Sequence, residues 1–300
     1  MSFTAAYMGL SHEELKEKIL AARELLEGCR LCPRQCGARR TEGEEGDCGA
    51  AKEVKIASYG PHYGEERPLV GFKGSGTIFF SHCNLECIYC QNCDISWEGR
   101  GREISVEDLA GIMLKLQDKG CHNINLVTPT HYTPQILEAL AIAKEDGLVL
   151  PLVYNCGGYE SLEMLSILDG VIDIYMPDLK YFDPEVGEKY SGVKDYPFRA
   201  MEAVREMHRQ VGVLKVDENG IATRGLLIRH LVLPENLAGT GGVMEFIAKE
   251  ISPDTFVNIM RQYRPAHRAR KHPPLSRSVT HHEWNQALDE AARAGISPRG

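Results

Sequence analysis

From about residue 76 onward the chain alternates between two hydrophobic patterns. Short runs of consecutive apolar residues, rich in Val, Ile and Leu, give way to stretches in which apolar positions recur every three or four residues. The first pattern reads as a strand buried on both faces, the second as an amphipathic helix. Strands are expected at 74–81, 123–127, 148–154, 171–176, 226–233 and 255–259, and helices at 105–119, 133–145, 161–168, 197–210, 241–250 and 284–294. Such alternation predicts an α/β fold, with parallel strands joined by helical crossovers. Six strands fit an open, partial (β/α)6 barrel, and a doubly wound open sheet fits the same periodicity.

Ahead of this repeat, residues 11–27 read as a helix. Ser11 caps it, Glu14 completes a capping box, and Leu15, Ile19, Ala22 and Leu26 keep the helical period. A loop rich in Cys, Gly and Arg runs to about residue 49, and 54–59 alternates like a short strand. The expected organisation is therefore 1–60, an N-terminal helix with a cysteine-rich segment, followed by 61–300, an α/β core closed by a helix.

Composition narrows the partners. The 300 residues are 43% hydrophobic, enough for a sizeable core, and the net charge is −8. No long basic tract stands out, so nucleic acid is not an expected partner. The basic stretch 261–271, mixed with Pro and His, reads as an anion-binding or substrate-facing loop. No apolar run approaches 18 residues and the start lacks an apolar signal core, so no membrane partner is expected and the expected location is the cytoplasm. Eight of the ten cysteines fall between Cys29 and Cys93, which in that setting favours metal ligation over disulfides. Cys121 and Cys156 lie beside predicted strands and read as small buried residues.

The run FFSHCNLECIYCQN, directly after the first core strand, carries the most specific chemistry. Cys83, Cys87 and Cys90 are spaced C-x3-C-x2-C, with an aromatic, Tyr89, before the third. Three thiolates on one loop can hold three irons of a [4Fe–4S] cluster and leave the fourth iron open to a ligand. Zinc ligation or a ferredoxin-like loop are the alternatives, because Cys93 extends the series by a further C-x2-C. Upstream, Cys29, Cys32, Cys36 and Cys48 form C-x2-C-x3-C-x11-C. Four thiolates suit a structural zinc or a second [4Fe–4S] cluster, and spacing does not separate the two. A metal would order a segment with few apolar residues of its own.

The loop C-x3-C-x-aromatic-C resembles the signature of the radical S-adenosylmethionine (radical SAM) superfamily. The resemblance implies the partial (β/α)6 barrel of radical SAM type. It also implies a [4Fe–4S] cluster on Cys83, Cys87 and Cys90, and S-adenosylmethionine bound at the open iron. A low-potential electron donor such as flavodoxin or ferredoxin is implied as partner, together with a protein, peptide or small-molecule substrate. Tyr89 would then lie near the adenine. The segment DIYMPDLKYF resembles the D-L-K segment of glycyl-radical-enzyme activases, which puts Lys180 near the S-adenosylmethionine carboxylate. RHLVLP resembles their arginine-bearing fifth strand, at Arg229. Asn92 matches the activases' C-x-Y-C-H-N, whereas Gln91 replaces its histidine, and His267 resembles a late histidine of that group. The two cysteine motifs together are similar to the group called pyruvate formate-lyase activating enzyme-related.

Active sites of parallel α/β folds gather at the C-terminal ends of the strands. Those ends are predicted to carry the cysteines, Thr128 with Thr130 and His131, Asn155 before Gly157-Gly158, Asp178 with Lys180, Arg229 with His230, and Gln262 to His267. Thr128 could supply a hydroxyl where many radical SAM proteins carry a Gly-Gly-Glu segment, which this chain lacks. Asn155 could bond a ribose or the methionine carboxylate. Specificity is expected from loops 183–197 and 261–279.

Overall fold

The computed structural model describes residues 3–299. Among them are nine strands: β1 (Val54–His62), β2 (Ser75–Phe80), β3 (Arg102–Ile104), β4 (Ile124–Val127), β5 (Leu152–Cys156), β6 (Ile174–Pro177), β7 (Lys215–Val216), β8 (Ala222–Leu231) and β9 (Phe256–Met260). Six of them, β2, β4, β5, β6, β8 and β9, run parallel and lie side by side in chain order. A doubly wound sheet reverses its strand order at a switch point. No reversal occurs here, so repeated right-handed crossovers put the helices on one face and curl the sheet into a partial barrel.

The first part of the chain closes one edge of this sheet. β1 pairs antiparallel with β2, and β3 pairs antiparallel with β1. β3 ends the sheet on one side and β7 and β9, both paired with β8, on the other, and the open side of the barrel lies between these edges. The loop after β1 reaches across it: the Asn258 amide on β9 donates to a Glu66 carboxylate oxygen at 2.8 Å. The N-terminal helix, His12–Glu27, has the expected capping box between Ser11 and Glu14. Its apolar face joins the same core as the sheet, and the Tyr7 hydroxyl ahead of it donates to the Leu150 carbonyl at 2.9 Å.

Element boundaries moved where local chemistry overrode periodicity. β5 starts at Leu152 rather than 148, because Leu148 N–H closes the preceding helix onto the Ala143 carbonyl and Pro151 has no N–H to give. β8 starts four residues early because its first part pairs with the two-residue strand β7. The loop read as 183–197 contains a helix, Pro184–Ser191, capped by the Asp183 side chain. No helix among the described residues is long and apolar enough to cross a membrane.

Candidate active site

At the C-terminal ends of the parallel strands lies a cavity, open to solvent and lined by Cys83, Cys87, Cys90, Asn92, Thr128, Asn155, Gly157, Asp178, Lys180 and Arg229. The three cysteines arrive there because β2 ends at Phe80 and the chain turns sharply at His82, a non-glycine residue with φ of 72°. Each sulfur accepts one hydrogen bond: Cys83 from the Leu85 N–H (3.4 Å), Cys87 from the Ser191 hydroxyl (3.0 Å) and Cys90 from the Ser96 hydroxyl (3.1 Å). Ser191 ends the helix that sequence periodicity did not reveal. Burial pushes the Cys83 and Cys87 thiols up, so a cation is needed to hold them as thiolates. Cys93 does not line the cavity.

Facing the cysteines is a half-buried charged network built from three neighbouring strands. Register places Asn155 of β5 beside Met176 of β6, and Asp178 beside Arg229 of β8. Arg229 donates through Nε to Asp178 (2.8 Å) and through Nη2 to the Asn155 side-chain oxygen (2.7 Å). Lys180 Nζ donates to the other Asp178 oxygen at 2.6 Å. Glu65, after β1, stands 3.6 Å from Arg229. Burial alone would raise the Asp178 carboxyl, but Arg229 and Lys180 outweigh it and hold the group below the usual range. Burial alone would lower Lys180; Asp178 and Cys87 keep it charged. The Asp178–Lys180 pair is therefore not the solvent-exposed ion pair that a D-L-K segment also permits.

Other expected site residues fall elsewhere. Tyr89 is buried and packs edge-on against Tyr181 and Tyr263, outside the cavity lining. His267 is exposed, with φ of 47°, and lies against the Trp97 ring at 4.9 Å. Thr130 donates to Glu160 (2.8 Å), and His131 Nε2 meets the Ser81 carbonyl (2.7 Å). Gly158, with φ of 81°, has the Asp178 carbonyl 2.3 Å from where a Cβ would sit. That glycine serves strand packing rather than ligand approach. Asp178 and Glu65 were the site groups hardest to see in sequence. Asp178 read as half of an ion pair, and Glu65 lies in a loop with no motif.

The N-terminal cysteines gather around Arg40. A Cβ on Gly46 would lie 3.3 Å from the Cys36 sulfur and 3.6 Å from that of Cys48. Burial pushes Cys29 and Cys48 up, partly offset by the charge of Arg40, and pushes Cys32 up to about 12. Arg40 is fully buried, and its guanidinium donates to the carbonyls of Ala51 and His131. Among the described residues no three Cys, His, Asp or Glu side chains are drawn into a closed metal site.

A family model for the radical SAM superfamily matches residues 77–218, from β2 and its cysteine loop to β7. This chain belongs to the radical SAM superfamily. A [4Fe–4S] cluster and S-adenosylmethionine are the cofactors that membership in the radical SAM superfamily implies. A relative from Methanocaldococcus jannaschii, the uncharacterized protein MJ0674, is 33% identical over 289 residues, which is 93% of this chain and 78% of its own. Among solved structures, Streptococcus suis SuiB bound to precursor peptide SuiA is similar at a TM-score of 0.48 and 13% identity, over 72% of this chain and 45% of that one. TYW1 with a lysine-pyruvate adduct bound has a TM-score of 0.43 and 11% identity, over 70% of each chain. The radical SAM chain described here thus spans less than half the length of SuiB.

Proposed function

We propose that Cys83, Cys87 and Cys90 hold a [4Fe–4S] cluster with one open iron, and that Lys180, Arg229, Asn155 and Thr128 receive S-adenosylmethionine beside it. The observation that carries this reading is the set of three cavity-lining thiols, each with one hydrogen-bond donor on its sulfur. Donors of that kind suit thiolate ligands and tune a bound cluster. A cluster on these cysteines would supply the electron, and S-adenosylmethionine held by Lys180, Arg229, Asn155 and Thr128 would supply the radical chemistry that removes hydrogen from a substrate. The residues' part is to orient and to exclude water. Arg229, fixed by Asp178 and Asn155, and Lys180, fixed by Asp178, bring two half-buried cations to one face for a carboxylate. The proposed target is a protein or peptide backbone, as in glycyl-radical-enzyme activation. The D-L-K segment and the β8 arginine, joined through Asp178, support that choice over a small molecule.

Anaerobic iron loading followed by dithionite and S-adenosylmethionine tests this. 5′-Deoxyadenosine should form, and its absence would sink the reading. An electron carrier with four protein ligands is the competing class. Cys93 lies outside the cavity lining, which favours the open iron. A Cys93→Ala variant should keep its cluster, and its EPR signal should still shift on adding S-adenosylmethionine.

Cys29, Cys32, Cys36 and Cys48 are proposed as a second, closed metal centre, zinc or a [4Fe–4S] cluster, reached by rotation of the thiols. The buried, carboxylate-free Arg40 supports it, because a buried cation needs an anion and a tetrathiolate metal centre is one. Changing all four to alanine should remove zinc, or about four irons, while the first cluster stays.

A further inference from the structure

A second cavity opens on the open side of the barrel. Its lining includes Glu65, Glu66, Arg67, Arg229, Asn258 and Arg299. Two segments form its walls. One is the loop after β1, which crosses the open side. The other is β9 with residues 298–299 laid along it, where the Arg299 N–H donates to the Val257 carbonyl at 2.9 Å. Arg229 also lines the cysteine cavity, so the two cavities share a wall. None of the cysteines lines the second one.

Glu66 is the group this cavity leaves unsatisfied. It stands directly before the short helix Arg67–Val70, where a polar side chain can cap a helix, but it makes no capping bond. Its side chain turns to β9 instead, and Oε1 accepts from the Asn258 amide at 2.8 Å. Oε2 has no hydrogen-bond partner among the described residues, and the residue is only 8% exposed. A buried carboxylate ordinarily has a cation, yet the cations nearby are committed elsewhere. Arg229 is bonded to Asp178 and Asn155 and approaches Glu65 at 3.6 Å. His62 faces Glu65 at 3.2 Å, and Lys180 is held by Asp178. At the rim, Arg67 and Arg299 are exposed and make no ion pair among the described residues. Unpaired arginines occur elsewhere on this surface; these two differ in flanking an unsatisfied buried carboxylate.

We infer that this cavity binds a small ligand of the amino-acid class, with a primary ammonium and a carboxylate on one molecule. The ammonium donates to Glu66 inside, and Arg67 and Arg299 hold the carboxylate at the rim. Each contact is a charge-assisted hydrogen bond between groups that otherwise lack a partner. The site is distinct from the one proposed for S-adenosylmethionine, which lies on the cysteine side of Arg229. The inference goes beyond the cluster reading and does not rest on it.

Calorimetric titration of the whole chain tests this, with glycine, 4-aminobutyrate and 6-aminohexanoate as probes of increasing reach. The tightest of them is then compared with the amine and the carboxylate that lack one of its two charged groups. The best amino acid should bind at about 1 mM or tighter, its amine about ten-fold more weakly, and its carboxylate more weakly still. Glu66→Gln keeps an oxygen for Asn258 and removes the charge, so it should weaken the amino acid about ten-fold or more. Arg67→Gln and Arg299→Gln, combined, change only exposed side chains and so test the site even if Glu66→Gln does not fold. That variant should bind amino acid and amine alike. The inference is overturned if no probe binds, or if the carboxylate binds as well as the amino acid. An unchanged affinity in Glu66→Gln overturns it too, since water would then be what satisfies Glu66. So does an arginine variant that still prefers the amino acid over the amine. Titrations before and after anaerobic iron loading should agree within about two-fold. Binding seen only after loading would belong to the cofactor site and would also overturn the inference, whereas a chain that takes up no iron but binds the probe leaves it standing without the cluster.

Discussion

Asp178 is the residue on which the cavity's electrostatics turn. It satisfies Arg229 through one oxygen and Lys180 through the other, so its loss strands two half-buried cations. Removing one partner of a fully buried ion pair costs about 3–5 kcal/mol, an upper bound for a network left 18% exposed at Asp178. Asp178→Ala should destabilise the protein by up to about that amount in denaturant melts and weaken S-adenosylmethionine binding, and a loss under about 1 kcal/mol would show that the cations find water instead. Asp173 works with the opposite sign. Burial raises its carboxyl to about 6, although the Leu152 and Ala6 N–H groups pull it back. A carboxyl whose folded value lies above its unfolded value binds its proton more tightly in the folded chain, so its contribution to stability falls as pH rises from about 4 to about 6. Thermal melts should show that Asp173→Asn flattens this fall, by up to about 3 kcal/mol across the window. A variant that keeps the full wild-type slope would mean that the group titrates normally.

At the scale of elements, the alternation of buried strand and amphipathic helix was legible because each strand is covered on both faces. What remained illegible were elements that depend on distant pairing. β7 exists only against β8, β3 only against β1, and neither leaves a periodic trace in two or three residues. The helix Pro184–Ser191, which delivers the Ser191 hydroxyl to Cys87, is too short to stand out from a loop. Gly158 ties two strand ends together: its missing Cβ leaves room for the Asp178 carbonyl, which also accepts from the Tyr196 hydroxyl at 2.8 Å. Gly158→Ala must place a Cβ against that carbonyl in the left-handed region. Chemical denaturation should show a loss of more than about 2 kcal/mol, and a neutral variant would mean that the strand ends can move apart.

Across the whole molecule, the N-terminal cysteines and the barrel meet at one buried guanidinium. Arg40 donates to His131, whose ring holds the Ser81 carbonyl two residues before Cys83. If a tetrathiolate metal centre is its counter-charge, Arg40→Met should cost the metal-loaded protein about 3–5 kcal/mol and the metal-free protein much less. Melts with and without a chelator measure that difference, and equal losses would remove Arg40 from the role. The amino-acid sequence by itself determined the α/β repeat, the strand that ends in three spaced cysteines and the chemistry those cysteines invite, because periodicity and ligand spacing are local properties. Only the tertiary structure decided that the sheet keeps chain order and so curls as a barrel rather than winding both ways. It alone left Tyr89, His267 and the cations of 261–271 out of the cavity lining and joined Asn155, Asp178, Lys180 and Arg229 into one network. Those outcomes depend on strand register and on which buried charge finds which partner, and neither is written in the spacing of any single segment.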